Sequence, residues 1–234
     1  KVDTIQDQDG NNIINESSNT VTIGASGDTI TLPSGANLSV DGTIKLDGNY
    51  PTGTDNVALG NEALDSGSLS GGNNTAIGDN ALSANTSGAN NTAIGQASLC
   101  TNLTGGSNVA VGRCTLKLNT ASNNVAVGYH SMCTNSSGTE NTALGLNSLR
   151  SNTTADQNTA LGNQNLYTNT TGANNTSVGA CSLYSNTTGG NNTAVGFCSL
   201  FNNTTCGSNT AVGYLSMCGN GTISGDLKDR KSVV

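Results

Sequence analysis

Residues 73–95 read NNTAIGDNALSANTSGANNTAIG, and this stretch decides the fold because it holds two copies of one short unit. The unit, Asn-Thr/Val-Ala-aliphatic-Gly, recurs ten times along the chain. Its glycines are Gly60, Gly78, Gly95, Gly112, Gly128, Gly145, Gly162, Gly179, Gly196 and Gly213. Seven of the nine intervals between them are 17 residues, and the other two are 16 and 18. The ten copies cover residues 55–220 and predict a repeat protein.

Each position of the repeat is numbered here from its glycine, so that column −1 precedes the glycine and column +4 lies four residues after it. Column −4 is Asn in all ten copies, column −1 is always Leu, Ile or Val, and column +4 is always Leu or Met. Column −2 is Ala in nine copies, and column +7 is Asn in nine. Short β-type runs at this period, without a helix-length apolar stripe, predict an all-β fold, a β-solenoid or β-roll of about ten coils.

The columns also predict which side chains face inward. Alternation along a strand places the Thr and aliphatic residues on one face and Asn, Ala and Gly on the other. Columns −1 and +4 are the only large apolar columns, so we expect both to fill the interior. The glycine column predicts positive φ or crowding. The Asn columns predict left-handed bends and amide ladders between coils stacked at ~4.8 Å.

One solenoid strand of this composition has little apolar surface for its length. We therefore expect columns −2 and −1 to be buried between chains, in a homotrimer whose packing closes the sheet edges.

Composition excludes several function classes. The chain of 234 residues has a net charge of −7, only 10% charged residues and seven aromatic residues. It therefore offers neither a phosphate-neutralising patch nor a stacking platform, and no nucleic-acid partner is expected. No apolar run approaches the ~18 residues that cross a bilayer, so no membrane insertion is expected. No nucleophile, base and orienting group recur together, so we predict no catalytic residue, no enzyme activity, no metal and no cofactor.

The flanks differ from the repeat. Residues 1–18 form a polar connector, and residues 19–54 contain four short alternating apolar pairs separated by glycines, which predict a second β module. Residues 221–234 carry five of the 23 charged residues and predict the start of a C-terminal unit.

The repeats at 73–95 and 174–196 resemble those of bacteriophage tail fibres, especially of marine and cyanobacterial phages. The stretch after residue 1 looks like the shaft regions of the same fibres. The string DLKDRKSV at 226–233 is similar to the opening of the endosialidase-type intramolecular chaperone domain that trimerises such fibres. In that family a serine directly before the acidic residue cleaves the chain. Here Gly225 holds that place and Ser224 lies one earlier, so self-cleavage is not expected.

The resemblance implies a structural shaft of a viral tail fibre, trimeric, assembled in the host cytoplasm and carried on the virion, extracellular after release. The implied partners are other tail proteins and a host receptor or glycan, bound by this chain or by a more distal tip. A head domain of a bacterial trimeric surface adhesin is the alternative. Ice binding is third, because column −3 is Thr in seven copies, although Thr also favours strands in general.

Two columns hold candidate site residues. Tyr167, Tyr184 and Phe201 occupy column +5 of consecutive coils and predict an aromatic row, either a sugar-binding surface or packing between chains. Cys181 and Cys198 occupy column +2 of adjacent coils and predict stacked thiols, open to interpretation as reduced thiols, a disulfide or zinc ligands. The only histidine, His130, shares that column, where three copies in a trimer could hold a metal or an anion.

Overall fold

The computed structural model describes residues 54–219, and this part of the chain is a parallel β-solenoid. Each coil contributes one three-residue strand, and the described residues contain no helix. The strands are β1 Val57–Leu59, β2 Thr75–Ile77, β3 Thr92–Ile94, β4 Val109–Val111, β5 Val125–Val127, β6 Thr142–Leu144, β7 Thr159–Leu161, β8 Thr176–Val178, β9 Thr193–Val195 and β10 Thr210–Val212. They form a single ten-stranded sheet in chain order, which confirms the predicted fold class.

The flanking predictions lie outside the described residues. These are the connector at 1–18, the β module at 19–54 apart from Thr54, and the chaperone-like unit at 221–234. Between Thr54 and Gly219 there is no helix with the length and apolar character needed to span a bilayer.

The strands pair in strict register, column on column. In β2 and β3, for example, Ala76 lies opposite Ala93. The short 16-residue interval keeps this register, since β4 and β5 also pair column by column. The turn after column +7 accommodates the missing residue: Asn119 Nδ2 donates to the carbonyl of Ala121, two residues on, where Asn85 reaches the carbonyl of Gly88, three residues on.

The interior contains one column of large apolar side chains, one column of alanines and several polar columns. The buried column +4 side chains are Leu64, Leu82, Leu99, Leu116, Met132, Leu149, Leu166, Leu183 and Leu200. They pack against the Ala side chains of column −2. The Asn side chains of columns −4 and +7 and most of the Ser or Thr side chains of column +3 are buried beside them. The prediction that column +4 fills the interior is confirmed.

The prediction for column −1 is wrong. Its side chains point outward: Leu59, Ile94, Leu144 and Val212 are 36–49% exposed. A three-residue strand turns its middle side chain to one face and its two outer side chains to the other. The small Ala is the middle residue and faces the interior, which the column +4 and Asn side chains already fill. Column −2 is therefore buried within its own coil, and the predicted burial of this column between chains is also wrong.

The backbone of each coil is left-handed at several positions. The repeat glycines have φ between 123° and 142°, and a Cβ built on Gly145 would lie 2.3 Å from the carbonyl oxygen of Gly162. Positive φ and crowding therefore both hold, as the sequence predicted.

The left-handed non-glycine residues fall in columns −5, +2 and +4, so the prediction of left-handed geometry at the Asn columns −4 and +7 is wrong. The expectation that Asn bonds its own backbone at a bend is confirmed in column +7, where the Asn85 side chain donates to the Gly88 carbonyl. Left-handed leucine is rare. At Leu82 (φ 50°) full burial and a hydrogen bond from its N–H to the Ser98 carbonyl hold it in place.

Candidate binding surface

Two buried asparagine ladders hold the coils in fixed positions. In column −4, the side-chain oxygen of Asn124 accepts from the backbone N–H of Asn141 at 3.0 Å and from its side-chain amide at 3.2 Å. The same amide donates to the carbonyl of Ala155 in the following turn at 2.8 Å. Because these bonds are buried and repeat in the other coils, the frame that carries the surface residues is rigid along the solenoid.

The column +7 ladder works in the same way. Asn152 donates its side-chain amide to the side-chain oxygen of Asn135 at 2.7 Å and to the carbonyl of Ala155 at 3.0 Å. The predicted amide ladders between coils are therefore confirmed in both columns.

The outer strand face is the first exposed surface. It consists of columns −3 and −1, with Thr or Val alternating with Leu, Ile or Val in ten parallel strands. Thr176 and Thr210 are exposed, and most of the remaining side chains are half-buried. We call this surface the strand face.

The aromatic row lies on a different side of the coil, in column +5. The ring centroids of Tyr167 and Tyr184 are 5.1 Å apart and those of Tyr184 and Phe201 are also 5.1 Å apart, with interplanar angles of 2° and 7°. All three side chains are half-buried. Both faces of the Tyr184 ring are therefore covered by its neighbours, and ring edges, not faces, are presented outward.

Three basic residues lie in the coils that precede this row, and one of them contacts it. Arg113, Lys117 and Arg150 are the only Lys or Arg residues between positions 54 and 219, and they lie within three consecutive coils. The Arg150 guanidinium lies 5.6 Å from the centroid of the Tyr167 ring. The Arg113 guanidinium lies 5.7 Å from the centroid of the Tyr129 ring and donates to its hydroxyl at 3.2 Å. Both geometries are cation–π contacts.

His130 lies within the same group. Its ring stacks on Tyr129 with centroids 4.0 Å apart. Burial lowers the pKa of His130, and Arg150, Arg113 and Lys117 lower it further, in that order. All the charges that act on this imidazole are positive, so we name Arg113, Lys117, His130 and Arg150 the cationic cluster.

Polar side chains in column +1 connect the cluster to the first coils. Arg113 Nε donates to the side-chain oxygen of Gln96 at 2.8 Å, and Gln96 donates to Asp79 at 3.3 Å. The side-chain hydrogen bond from Asn61 lowers the pKa of Asp79, as do the bonds from Gln96 and Asn80. Arg113 is thus oriented by a neutral amide and a phenol, and Gln96 stands between it and the Asp79 carboxylate.

Four of the seven cysteines lie in two groups. Cys181 and Cys198 are thiols on adjacent coils. Burial raises the pKa of Cys198, and the neighbouring Cys181 thiol raises it further. Burial also raises the pKa of Cys100 and Cys133, which flank Lys117 in column +5, while Lys117 opposes that rise. A raised pKa favours the protonated and less reactive thiol.

No group of three or more His, Cys, Asp or Glu side chains in the described part of the chain could hold a metal ion. The cationic cluster was missed by sequence reasoning, because its three basic residues are spread over 38 positions, 113 to 150. Aligning the columns reveals the signal: Lys117 and Arg150 share column +5 with the aromatic row. No protein-family model, curated protein or solved structure matches the chain.

Proposed function

We propose that the chain is a structural spacer, the shaft of a phage-type tail fibre, which self-associates through its strand face. The observation that supports this most is the outward aliphatic column. Leu59 is 49% exposed and Leu144 is 39% exposed, although the solenoid interior is already filled. A contiguous exposed apolar surface of this kind is typical of association sites.

The geometry also suits a spacer. Every coil repeats the same contacts, so length is added without changing the cross-section. Ten coils at ~4.8 Å make a rod of about 45–50 Å. Buried amide ladders along its length resist bending and local opening, which a shaft that positions a receptor-binding tip requires.

A trimer is still proposed, but for a different reason from the one that the sequence suggested. Each strand pairs within its own chain, so in the described residues only β1 and β10 have an unpaired edge. Closing sheet edges is therefore no reason for three chains. The proposal of a trimer rests on the exposed strand face, which another chain would bury, and on the resemblance to trimeric fibres.

Light scattering on the purified chain tests this proposal. We expect a mass three times 23.3 kDa. Val178→Asp, which places a charge on the strand face, should lower the mass to that of a monomer, while Thr188→Asp, at an exposed position away from it, should not. A folded wild-type monomer would contradict both the trimer and the shaft.

Ice binding is a second candidate that one observation favours. Five threonines lie in register on consecutive strands of the exposed face: Thr142, Thr159, Thr176, Thr193 and Thr210. Such a regular array of hydroxyl and methyl groups suits ordered water. The test is thermal hysteresis of the wild type beside Thr176→Tyr, which interrupts the array, and Thr188→Tyr as a control. A trimer would bury the same face, so the two proposals exclude each other.

A further inference from the structure

We propose that the cationic cluster and the aromatic row together bind a linear anionic polysaccharide lying along the solenoid axis. This deepens the proposed function, on which it rests in one respect: the strand face, and not column +5, must be the face covered by neighbouring chains.

The first observation is that column +5 forms one continuous stripe. The backbone carbonyl of each residue from Cys133 to Phe201 in this column accepts a hydrogen bond from the preceding coil, at 3.0–3.2 Å. Six residues therefore follow one another on consecutive coils: Lys117, Cys133, Arg150, Tyr167, Tyr184 and Phe201. Five steps of ~4.8 Å span about 24 Å, which suits an extended polymer better than a small molecule.

The second observation is the separation of charge. The described part of the chain has six acidic residues, but those in columns +1, +2 and +5 are Glu62, Asp65 and Asp79, all in the first two coils. Alternating opposite charges on neighbouring strands would favour folding, whereas like charges near each other oppose it. The three basic residues nevertheless lie within three consecutive coils, where all three positive charges act on the His130 imidazole. An external anion would relieve this repulsion.

The third observation is how the cations are held. The Arg113 side chain is oriented by Gln96 at 2.8 Å and by the Tyr129 hydroxyl at 3.2 Å. Arg150 lies against the ring of Tyr167. Partly oriented guanidinium groups lose less conformational entropy on binding, and their planar donors match carboxylate and sulfate oxygens.

The rings favour a polysaccharide over a nucleic acid. Nucleobases bind single-stranded sites by stacking on free aromatic faces. Both faces of Tyr184 are occupied by Tyr167 and Phe201, and Tyr167 is covered on its other side by the Arg150 guanidinium. An anionic polysaccharide needs only the cationic cluster and polar contacts with the tyrosine hydroxyls at the ring edges.

The test uses the full chain immobilised on a biosensor. The probes are dextran sulfate, polygalacturonate and neutral dextran, together with poly-dT and poly-L-glutamate. We expect binding of at least one anionic polysaccharide, no binding of neutral dextran, and weakening as salt rises. The variant Arg113→Gln/Lys117→Gln/Arg150→Gln should lose affinity by at least about tenfold, which corresponds to 1.4 kcal/mol.

A charge-matched control separates the site from the net charge. Thr104→Asp/Thr154→Asp/Thr188→Asp changes three exposed residues outside the stripe and, like the Gln variant, takes the formal charge from −7 to −10. It should keep affinity within about threefold of the wild type. Equal loss in both variants, unchanged binding in the Gln variant, absence of binding to both anionic polysaccharides, or tighter binding of poly-dT or poly-L-glutamate each overturns the proposal.

Light scattering on the same samples distinguishes this failure from failure of the shaft. If the chain is a trimer but binds neither anionic polysaccharide, the binding site is overturned and the shaft is not. If the chain is a monomer that binds the anionic polysaccharides through the cationic cluster, the shaft is overturned and the binding site is not. Circular dichroism spectra of all three proteins should agree, because the substituted side chains lie outside the solenoid interior.

Discussion

The side-chain oxygen of Asn74 accepts two hydrogen bonds from Asn91, one from the backbone N–H at 2.9 Å and one from the side-chain amide at 3.2 Å. The Asn91 amide in turn donates to the carbonyl of Gly105 at 2.9 Å. The Asn91 side-chain amide thus satisfies a polar group in the preceding coil and a carbonyl in the turn that follows it. A buried peptide group without such a partner costs free energy, so an invariant Asn column follows from the narrow, partly polar interior.

Replacing a central member of this ladder should be strongly destabilising. Asn141→Ala removes the acceptor for the Asn158 backbone N–H at 2.9 Å and for the Asn158 side-chain amide at 3.3 Å. Two buried groups at ~1–3 kcal/mol each lower the free energy of unfolding by about 2–6 kcal/mol. Urea unfolding followed by circular dichroism measures this. The control, Asn163→Ala at an exposed position of column +1, should stay within about 0.5 kcal/mol of the wild type.

The inward and outward aliphatic columns should respond differently to truncation. Leu149 is fully buried, so Leu149→Ala should lower the free energy of unfolding by about 2–5 kcal/mol. Leu144 is 39% exposed on the strand face, and Leu144→Ala should cost less than about 1 kcal/mol within one chain. Both are measured by urea unfolding at a concentration where light scattering shows the monomer. Equal losses there would mean that column −1 is an interior column after all.

Sequence columns predicted much of this fold because each column has one dominant physical cause. The glycine at Gly145 is required by a left-handed φ of 134° and by a neighbouring backbone, and both causes exclude a side chain. The direction of the strand was not predictable in the same way. A period of two separates Ala143 from Leu144 but does not say which face is inside. Hydrophobicity alone favoured the leucine, whereas the space left beside Leu149 and the Asn ladders admits only the alanine.

The cationic cluster could not be found by reading along the chain. Arg113 and Arg150 are more than two repeats apart, and only stacking of the coils brings both within electrostatic reach of His130. Left-handed geometry at Cys114 and Leu116 was equally hidden, because neither residue type favours it. At these positions the neighbouring coil, not the local sequence, decides the backbone.

Replacing glycine by alanine should destabilise the protein far more in the crowded glycine column than at an open position. In Gly145→Ala the new Cβ would lie 2.3 Å from the Gly162 carbonyl oxygen, at a φ that alanine rarely adopts. Strain and displacement of the next coil should lower the free energy of unfolding by at least about 3 kcal/mol. Gly67→Ala is the matched control, since nothing lies within 4 Å of its added Cβ. Comparable melting temperatures for the two variants would contradict the crowded stacking of the glycine column.

His130 is the only histidine of the chain, so proton NMR follows its protonation directly. Burial lowers its pKa, and Arg150, Arg113 and Lys117 lower it further. The titration midpoint should therefore fall below the usual ~6.5. Replacing the three cations with Gln should raise the midpoint, though burial should still hold it below that value. A midpoint at or above ~6.5 in the wild type would contradict the arrangement of the cluster.

The sign of the stability effect follows from the same shift. A folded-state pKa below the unfolded one means that the unfolded chain binds the proton more readily. His130 therefore leaves the free energy of unfolding unchanged above pH ~6.5. As the pH falls from ~6.5 to the folded-state pKa, the free energy of unfolding decreases, and below that pKa the decrease through His130 stops. His130→Asn, which places at this column a residue also found there at Asn80 and Asn147, should remove that loss.

Bound dextran sulfate should act oppositely to the three cations and raise the titration midpoint of His130, because an anion at the cluster stabilises the imidazolium. An unchanged midpoint with the polymer bound would show that it lies elsewhere on the solenoid.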